Sequence, residues 1–144
     1  MDKIFKGITA GIIAAVIMNL INLILFYNFH LIKIRFLDWA GLIMLGSLPQ
    51  SKAAIIYSLL IHICWTGTLG IIFNYILIQI SHQAVIIKGG LYAFLLTFIF
   101  RSLAVLFQMQ TLANSNLTTS IANTLTSLTW GLILGALLYI FNND

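Results

Sequence analysis

A chain of 144 residues that is 61% hydrophobic and 7% charged is too apolar for a soluble globule, whose apolar share is about 45–50%. Its mean hydropathy of +1.07 excludes a soluble enzyme domain, and its length suits four spans of about 20 residues with no soluble domain beside them. The net charge of +4 includes no block of about five like charges, so it reads as topology and lipid-surface attraction rather than nucleic-acid binding.

In chain order, the first apolar stretch covers residues 7–32. Lys3 and Lys6 precede it as in a signal peptide, but the run is too long and lacks a small-x-small cleavage site, so it reads as an uncleaved span. Asn28 and His30 are expected at its interfacial end. Residues 33–52 carry Lys33, Arg35, Asp38, Trp39 and Lys52. Their apolar part, 36–48, is too short to cross a bilayer and predicts an interfacial or re-entrant helix ended by Ser47 and Pro49. The second span is expected at 53–80. Only Ser81, His82, Gln83 and a few apolar residues follow before the third, at 88–107, so spans two and three are expected to form a tight hairpin. Residues 108–117 are polar and uncharged. The fourth span is expected at 118–141, with Ser115 or Thr118 capping its start. The fold class predicted for residues 1–144 is all-α: one polytopic membrane domain of four transmembrane helices.

An internal repeat runs through these spans. Lys6-Gly7 opens the first and Lys88-Gly89 the third, and Asn19 and Arg101 follow at the same interval. Trp65 and Gly70 in the second span match Trp130 and Gly135 in the fourth, which aligns His62 with Ser127. The pattern reads as two tandem helical hairpins with an insertion in the first connection, a device known among transporters. The competing reading is chance similarity between segments drawn from few residue types. Lys3, Lys6 and Lys88 on one side balance Lys33, Arg35 and Lys52 on the other, so the positive-inside rule does not decide the orientation. The equivalent Lys-Gly helix starts favour cytoplasmic N- and C-termini.

Each span has a small or polar face. The stripes are Gly7, Gly11, Ala15, Asn19 and Asn22; then Ser58, His62, Thr66, Gly70 and Asn74; then Gly90, Thr97, Arg101, Ala104 and Gln108; then Ser120, Thr124, Ser127, Gly131 and Gly135. Positions three and four apart share a helix face, and in lipid such faces turn inward, small residues allowing close packing and polar ones bonding across helices. The glycine pairs need no role beyond packing. The polar residues lie roughly 9–15 Å below the helix ends on the side of the long connection. They form a layer in one leaflet and suggest a polar half-membrane cavity. Arg101, His62, Asn22, Asn19, Thr66 and Ser127 are the candidate ligand-binding residues.

A permanent charge in lipid is costly, and Arg101 admits three readings. It snorkels to the interface; it pairs with Asp38, brought down by a re-entrant loop; or it holds an anionic ligand or lipid headgroup, with His62 and Asn22 as further donors. His62 alone is more often a hydrogen-bonded interior histidine than a relay or ligand. No histidines have metal-site spacing, the lone Cys64 gives no metal or disulfide signature, and no cofactor is implied. The spans hold no carboxylate and no nucleophile–base set, which argues against an enzyme and against carboxylate-coupled export.

The run His62-x-x-x-x-Gly67-x-x-Gly70 after a Pro-containing connection, with Lys6-Gly7-x-x-Ala10-Gly11 opening the first span, resembles small four-helix bacterial inner-membrane proteins of the YagU and YqhR type. That resemblance implies a bacterial plasma-membrane protein and brings no activity with it. The expected role is a non-enzymatic membrane subunit that binds or transports a lipid or small anion. Its expected partners are membrane lipid and a homo-oligomer or larger membrane complex. The alternative is a structural or assembly partner of another membrane protein. An open polar cavity would favour the first; a fully satisfied polar layer with glycine stripes facing lipid would favour the second.

Overall fold

The computed structural model describes residues 2–80, 83–113 and 115–143. Among them the chain is all-α: α1 (Lys3–Tyr27), α2 (Phe36–Leu45), α3 (Lys52–Ile80), α4 (Val85–Leu106), α5 (Gln110–Ala113) and α6 (Leu117–Asn143). α1, α3, α4 and α6 are each long and apolar enough to cross a membrane. α2 is the short helix expected between the first two spans. At about 1.5 Å per residue, its 10 residues fall well short of a bilayer.

The four long helices pair as two hairpins, α1 with α3 and α4 with α6. Glycine sets both crossings. A Cβ at Gly7 would lie 2.6 Å from Ile71 Cα, and one at Gly11 would lie 2.7 Å from the Thr66 carbonyl oxygen. In the other hairpin, one at Gly135 would lie 2.7 Å from the Val85 carbonyl oxygen. Only glycine lets backbones approach this closely, and dispersion between them replaces the hydrophobic drive that lipid cannot supply.

The two crossings repeat one another. The Gly7 carbonyl oxygen faces Gly70 with Gly11 alongside, and the Gly89 carbonyl oxygen faces Gly131 with Ala93 alongside. The second helices therefore match Gly70 to Gly131, one turn away from the Trp65/Trp130 register read in the sequence. Backbone approach sets the register, and the tryptophans do not take part in it.

α1 also packs on α6, so the helices stand in the order α3–α1–α6–α4. α3 and α4, consecutive in sequence, barely touch, so the tight hairpin expected between spans two and three does not form. Near the ends holding Ile80 and Val85 they meet through Tyr92, which stacks on Phe73 at 4.9 Å and donates to the Leu69 carbonyl at 3.1 Å. Ser81 and His82, expected in the turn between spans two and three, lie outside the described residues.

Three further boundaries differ from expectation. α1 ends at Tyr27 rather than residue 32: His30 adopts a positive φ of 54°, and the apolar residues that follow fold back under the bundle with Ile32 and Ile34 buried. Asn116, not Ser115 or Thr118, caps α6, its Oδ1 accepting from Thr119 N at 3.1 Å. α2 ends at Gly46, whose φ of 71° is the left-handed conformation that glycine adopts without strain.

The segment before α2 crosses the end of the bundle. Ile34 packs with Ala104 of α4, Leu112 of α5 and the partly buried Trp39. Irregular backbone that packs among apolar side chains must find internal partners. Phe36 N donates to Asn22 Oδ1 at 3.0 Å, Lys33 N to Thr119 Oγ1 at 3.1 Å, and the Ile34 carbonyl accepts from Asn123 Nδ2 at 3.1 Å. α2 then leans on α3, with Gly41 against Ser58 and Pro49.

Candidate functional site

Where α3 and α4 diverge, they leave a cavity of about 430 Å³ roofed by α2. Its floor is Trp130 and Leu69, beside the Tyr92–Phe73 stack. Its exposed rim is Ile43 and Met44 of α2 and Trp65 of α3. Trp65 meets Phe100 of α4 edge-to-face at 6.1 Å across the gap. All three tryptophans of the chain, Trp39, Trp65 and Trp130, line this one space. The size is that of a small-molecule site, and mostly apolar walls with a few polar groups are the usual composition of one.

Among the described residues, Arg101 is the one charged residue in the lining. It sits on α4 a little over a turn from the helix end. Its Nη1 donates to Ser115 Oγ at 2.9 Å, and Ser115 in turn meets Ser120 Oγ at 3.0 Å. Among the described residues Ser115 is its only hydrogen-bond partner, so most of the five donors of the guanidinium are unused.

Asp38 does not reach it. Arg35, three residues before Asp38, takes that carboxylate at 2.7 Å, and both side chains are nearly inaccessible. The expected Arg101–Asp38 pair is thus replaced by a pair within one turn, which costs no long-range ordering. Arg35 N–H also donates to Asp38 Oδ2 at 2.7 Å, its guanidinium lies 4.7 Å over the Phe26 ring, and Nη1 donates to Tyr27 Oη at 2.8 Å. Burial pulls the Arg35 pKa down, but the hydrogen bonds and charge of Asp38, helped by Tyr27, more than offset it, so the group titrates above its ordinary value.

His62 is 8% exposed and lines the cavity. Its ring stacks parallel to Phe36 at 5.7 Å, and Nδ1 meets the Asn19 amide at 3.1–3.2 Å. Nε2 has no partner among the described residues.

The other candidates divide. Thr66 lines the cavity, but its hydroxyl donates to the His62 carbonyl at 2.9 Å and is spent within its own helix. Ser127 lines it and accepts from Thr97 at 2.8 Å. Asn19 stands behind His62 as its support. Asn22 is not in the lining: its Nδ2 donates to Asn123 Oδ1 at 2.9 Å, and its Oδ1 holds the loop. Asn123, Thr97 and the aromatic walls were not among the sequence candidates. Asn123 lies three residues from Ser120 and four from Ser127, on the stripe already visible in α6, so helical spacing could have found it.

No family model, no curated protein and no solved structure matches the chain.

Proposed function

We propose that this protein is a non-enzymatic subunit of a bacterial plasma membrane that binds an amphiphile, its anionic head at Arg101 and its apolar body in the groove between α3 and α4. One observation carries the reading: a guanidinium with, among the described residues, a single hydroxyl partner lines an aromatic-walled cavity to which none of the described acids contributes. A charge kept in that setting is poised for an anion. His62, with Nε2 unpaired, is a second polar contact; Ser127 and Thr66 fix the wall behind it.

The use of the glycines supports this reading over an assembly role. Gly7, Gly11 and Gly70 face one another, as do Gly89, Gly131 and Gly135, so the close-packing surfaces are consumed inside the hairpins. In this reading the termini are cytoplasmic, which puts the groove in the outer leaflet, and passage of the ligand proceeds in an oligomer or larger complex. The resemblance to the YagU and YqhR type adds no activity.

The test is lipid retention. Arg101→Gln, purified in mild detergent and examined by native mass spectrometry, should lose bound anionic lipid roughly tenfold, the equivalent of one charge-assisted hydrogen bond of about 1.5 kcal/mol. Equal retention by wild type and variant would overturn the proposal.

A further inference from the structure

His62 places a demand on the ligand that charge alone does not meet. Its ring is held from two directions: it stacks parallel to Phe36 of α2 at 5.7 Å, and its Nδ1 edge faces Asn19 of α1. The opposite edge, with Nε2, therefore points away from α1, into the space that the ring lines between α3 and α4. The residue is 8% exposed, and among the described residues nothing meets Nε2. A buried nitrogen aimed into a cavity without a partner is costly, and a polar group on the ligand removes that cost.

Asn19 indicates which group. Its Nδ2 lies 3.1 Å from His62 Nδ1 and its Oδ1 lies 3.2 Å from it. The amide can donate to a bare Nδ1 or accept from a protonated one, so it supports either tautomer. Nε2 correspondingly offers an N–H or a lone pair. A phosphate or ester oxygen only accepts and suits the first. An ammonium only donates, suits the second, and would stand near the charge of Arg101. A hydroxyl donates and accepts, so one group suits both.

That hydroxyl belongs to the head. Trp65 and Phe100 meet at 6.1 Å across the gap. His62 precedes Trp65 by three residues on α3, and Arg101 follows Phe100 on α4. At about 1.5 Å of rise per residue, both polar groups stand within roughly one helical turn of this contact. Resting on the reading above, we infer that the ligand is an anionic amphiphile whose head also carries a hydroxyl. Arg101 holds the anion, His62 Nε2 holds the hydroxyl, and Asn19 positions the ring. A glycerol phosphodiester and a 3-hydroxy acid share this chemistry.

Two pairs of probes isolate the hydroxyl at constant charge: phosphatidylglycerol against phosphatidylpropanol with the same acyl chains, and 3-hydroxypalmitate against palmitate. Each pair competes for the wild-type chain in mild detergent, and native mass spectrometry reads the bound ratio. In at least one pair the hydroxylated member should be favoured roughly threefold to tenfold, the worth of one hydrogen bond. The pair that discriminates shows whether the head is a glycerol phosphodiester or a hydroxy acid. A ratio of one in both pairs would overturn the inference and leave the anionic groove standing.

His62→Phe keeps a ring for Phe36 to stack on. It should bring the ratio to one without weakening retention of the hydroxyl-free member, and a ratio that survived would remove His62 from the site. Arg101→Gln should weaken both members alike and preserve the ratio; if neither member weakens, the underlying anionic reading fails instead. A second measurement leaves His62 in place. The His30→Asn/His82→Asn chain keeps it as the sole histidine. Its imidazole nitrogen resonances should shift at Nε2 with a favoured hydroxylated probe and not with that probe's hydroxyl-free partner. Identical spectra with the two would sink the inference.

Discussion

Asn22 of α1 and Asn123 of α6 share a hydrogen bond of 2.9 Å, and each uses its other amide atom on the same loop, at Phe36 N and the Ile34 carbonyl. Two spans and the segment before α2 are thereby closed into one ring of hydrogen bonds. Asn22→Leu leaves a backbone N–H and the Asn123 amide unpaired in an apolar setting, which costs about 1–3 kcal/mol. Asn123→Leu should cost a similar amount. In a double-mutant cycle the coupling should be about 0.6–1.7 kcal/mol, the range of interhelical hydrogen bonds in membranes. Equilibrium unfolding in mixed micelles measures it; strictly additive losses would show that the ring does not act as a unit.

The Arg35–Asp38 pair supports α2 from its first turn. Asp38→Asn strands an arginine side chain that is 8% exposed, and breaking a buried pair costs about 3–5 kcal/mol. The Phe26 ring and Tyr27 hydroxyl remain as partners, so the lower figure is expected. Combined with Arg101→Leu, the effects should add without coupling, since the two residues do not interact. A milder double variant, read from melting temperatures, would restore the Arg101–Asp38 pair.

Arg101→Leu by itself should melt close to wild type in lipid-free detergent, because the protein contributes only a hydroxyl to this side chain. The loss should appear on adding anionic amphiphile: wild type gains melting temperature and the variant does not. A variant already several degrees less stable without ligand would make Arg101 structural.

The glycine crossings predict a different signature. Gly70→Ala puts a methyl against the Gly7 carbonyl, and Gly131→Ala puts one against that of Gly89. Neither backbone can retreat without losing the whole contact. Each change should lower helix-pair stability by about 1–3 kcal/mol, as overpacking does, whereas Gly46→Asn at the exposed end of α2 should cost much less, asparagine tolerating a left-handed cap. Thermal unfolding by circular dichroism separates them, and a silent Gly131→Ala would refute the close-packing account.

The spans were legible because apolar runs of sufficient length have one stable form in lipid, and the stripes because helical spacing shows which face is polar. The end of α1 was not: Leu31, Ile32 and Ile34 are as apolar folded back under the bundle as they would be in a continued helix. Spacing within a helix carries no distance between helices, so Arg101 and His62 could be placed on one leaflet, yet the gap between α3 and α4 could not be foreseen. The register was not legible: Trp65 and Trp130 are the most distinctive shared residues, but Gly70 and Gly131 make the contact. The partner of Asp38 was not read from the sequence, which paired it with Arg101; a charge three residues away in the same helical turn, Arg35, outcompetes a distant one.

The short helix between the first two spans explains why the bundle is lopsided. Two similar hairpins set side by side create two seams. The seam between α1 and α6 is stitched shut, with the Trp130 indole N–H reaching the Gly11 carbonyl at 3.4 Å. The other is held open by Phe36, Trp39 and Ile43 of α2, where the second hairpin has only the four-residue α5 in the equivalent connection. Without that prop the space between α3 and α4 would lose its roof and most of one wall. The segment that looks like an interruption of the repeat is what gives the repeat a hollow.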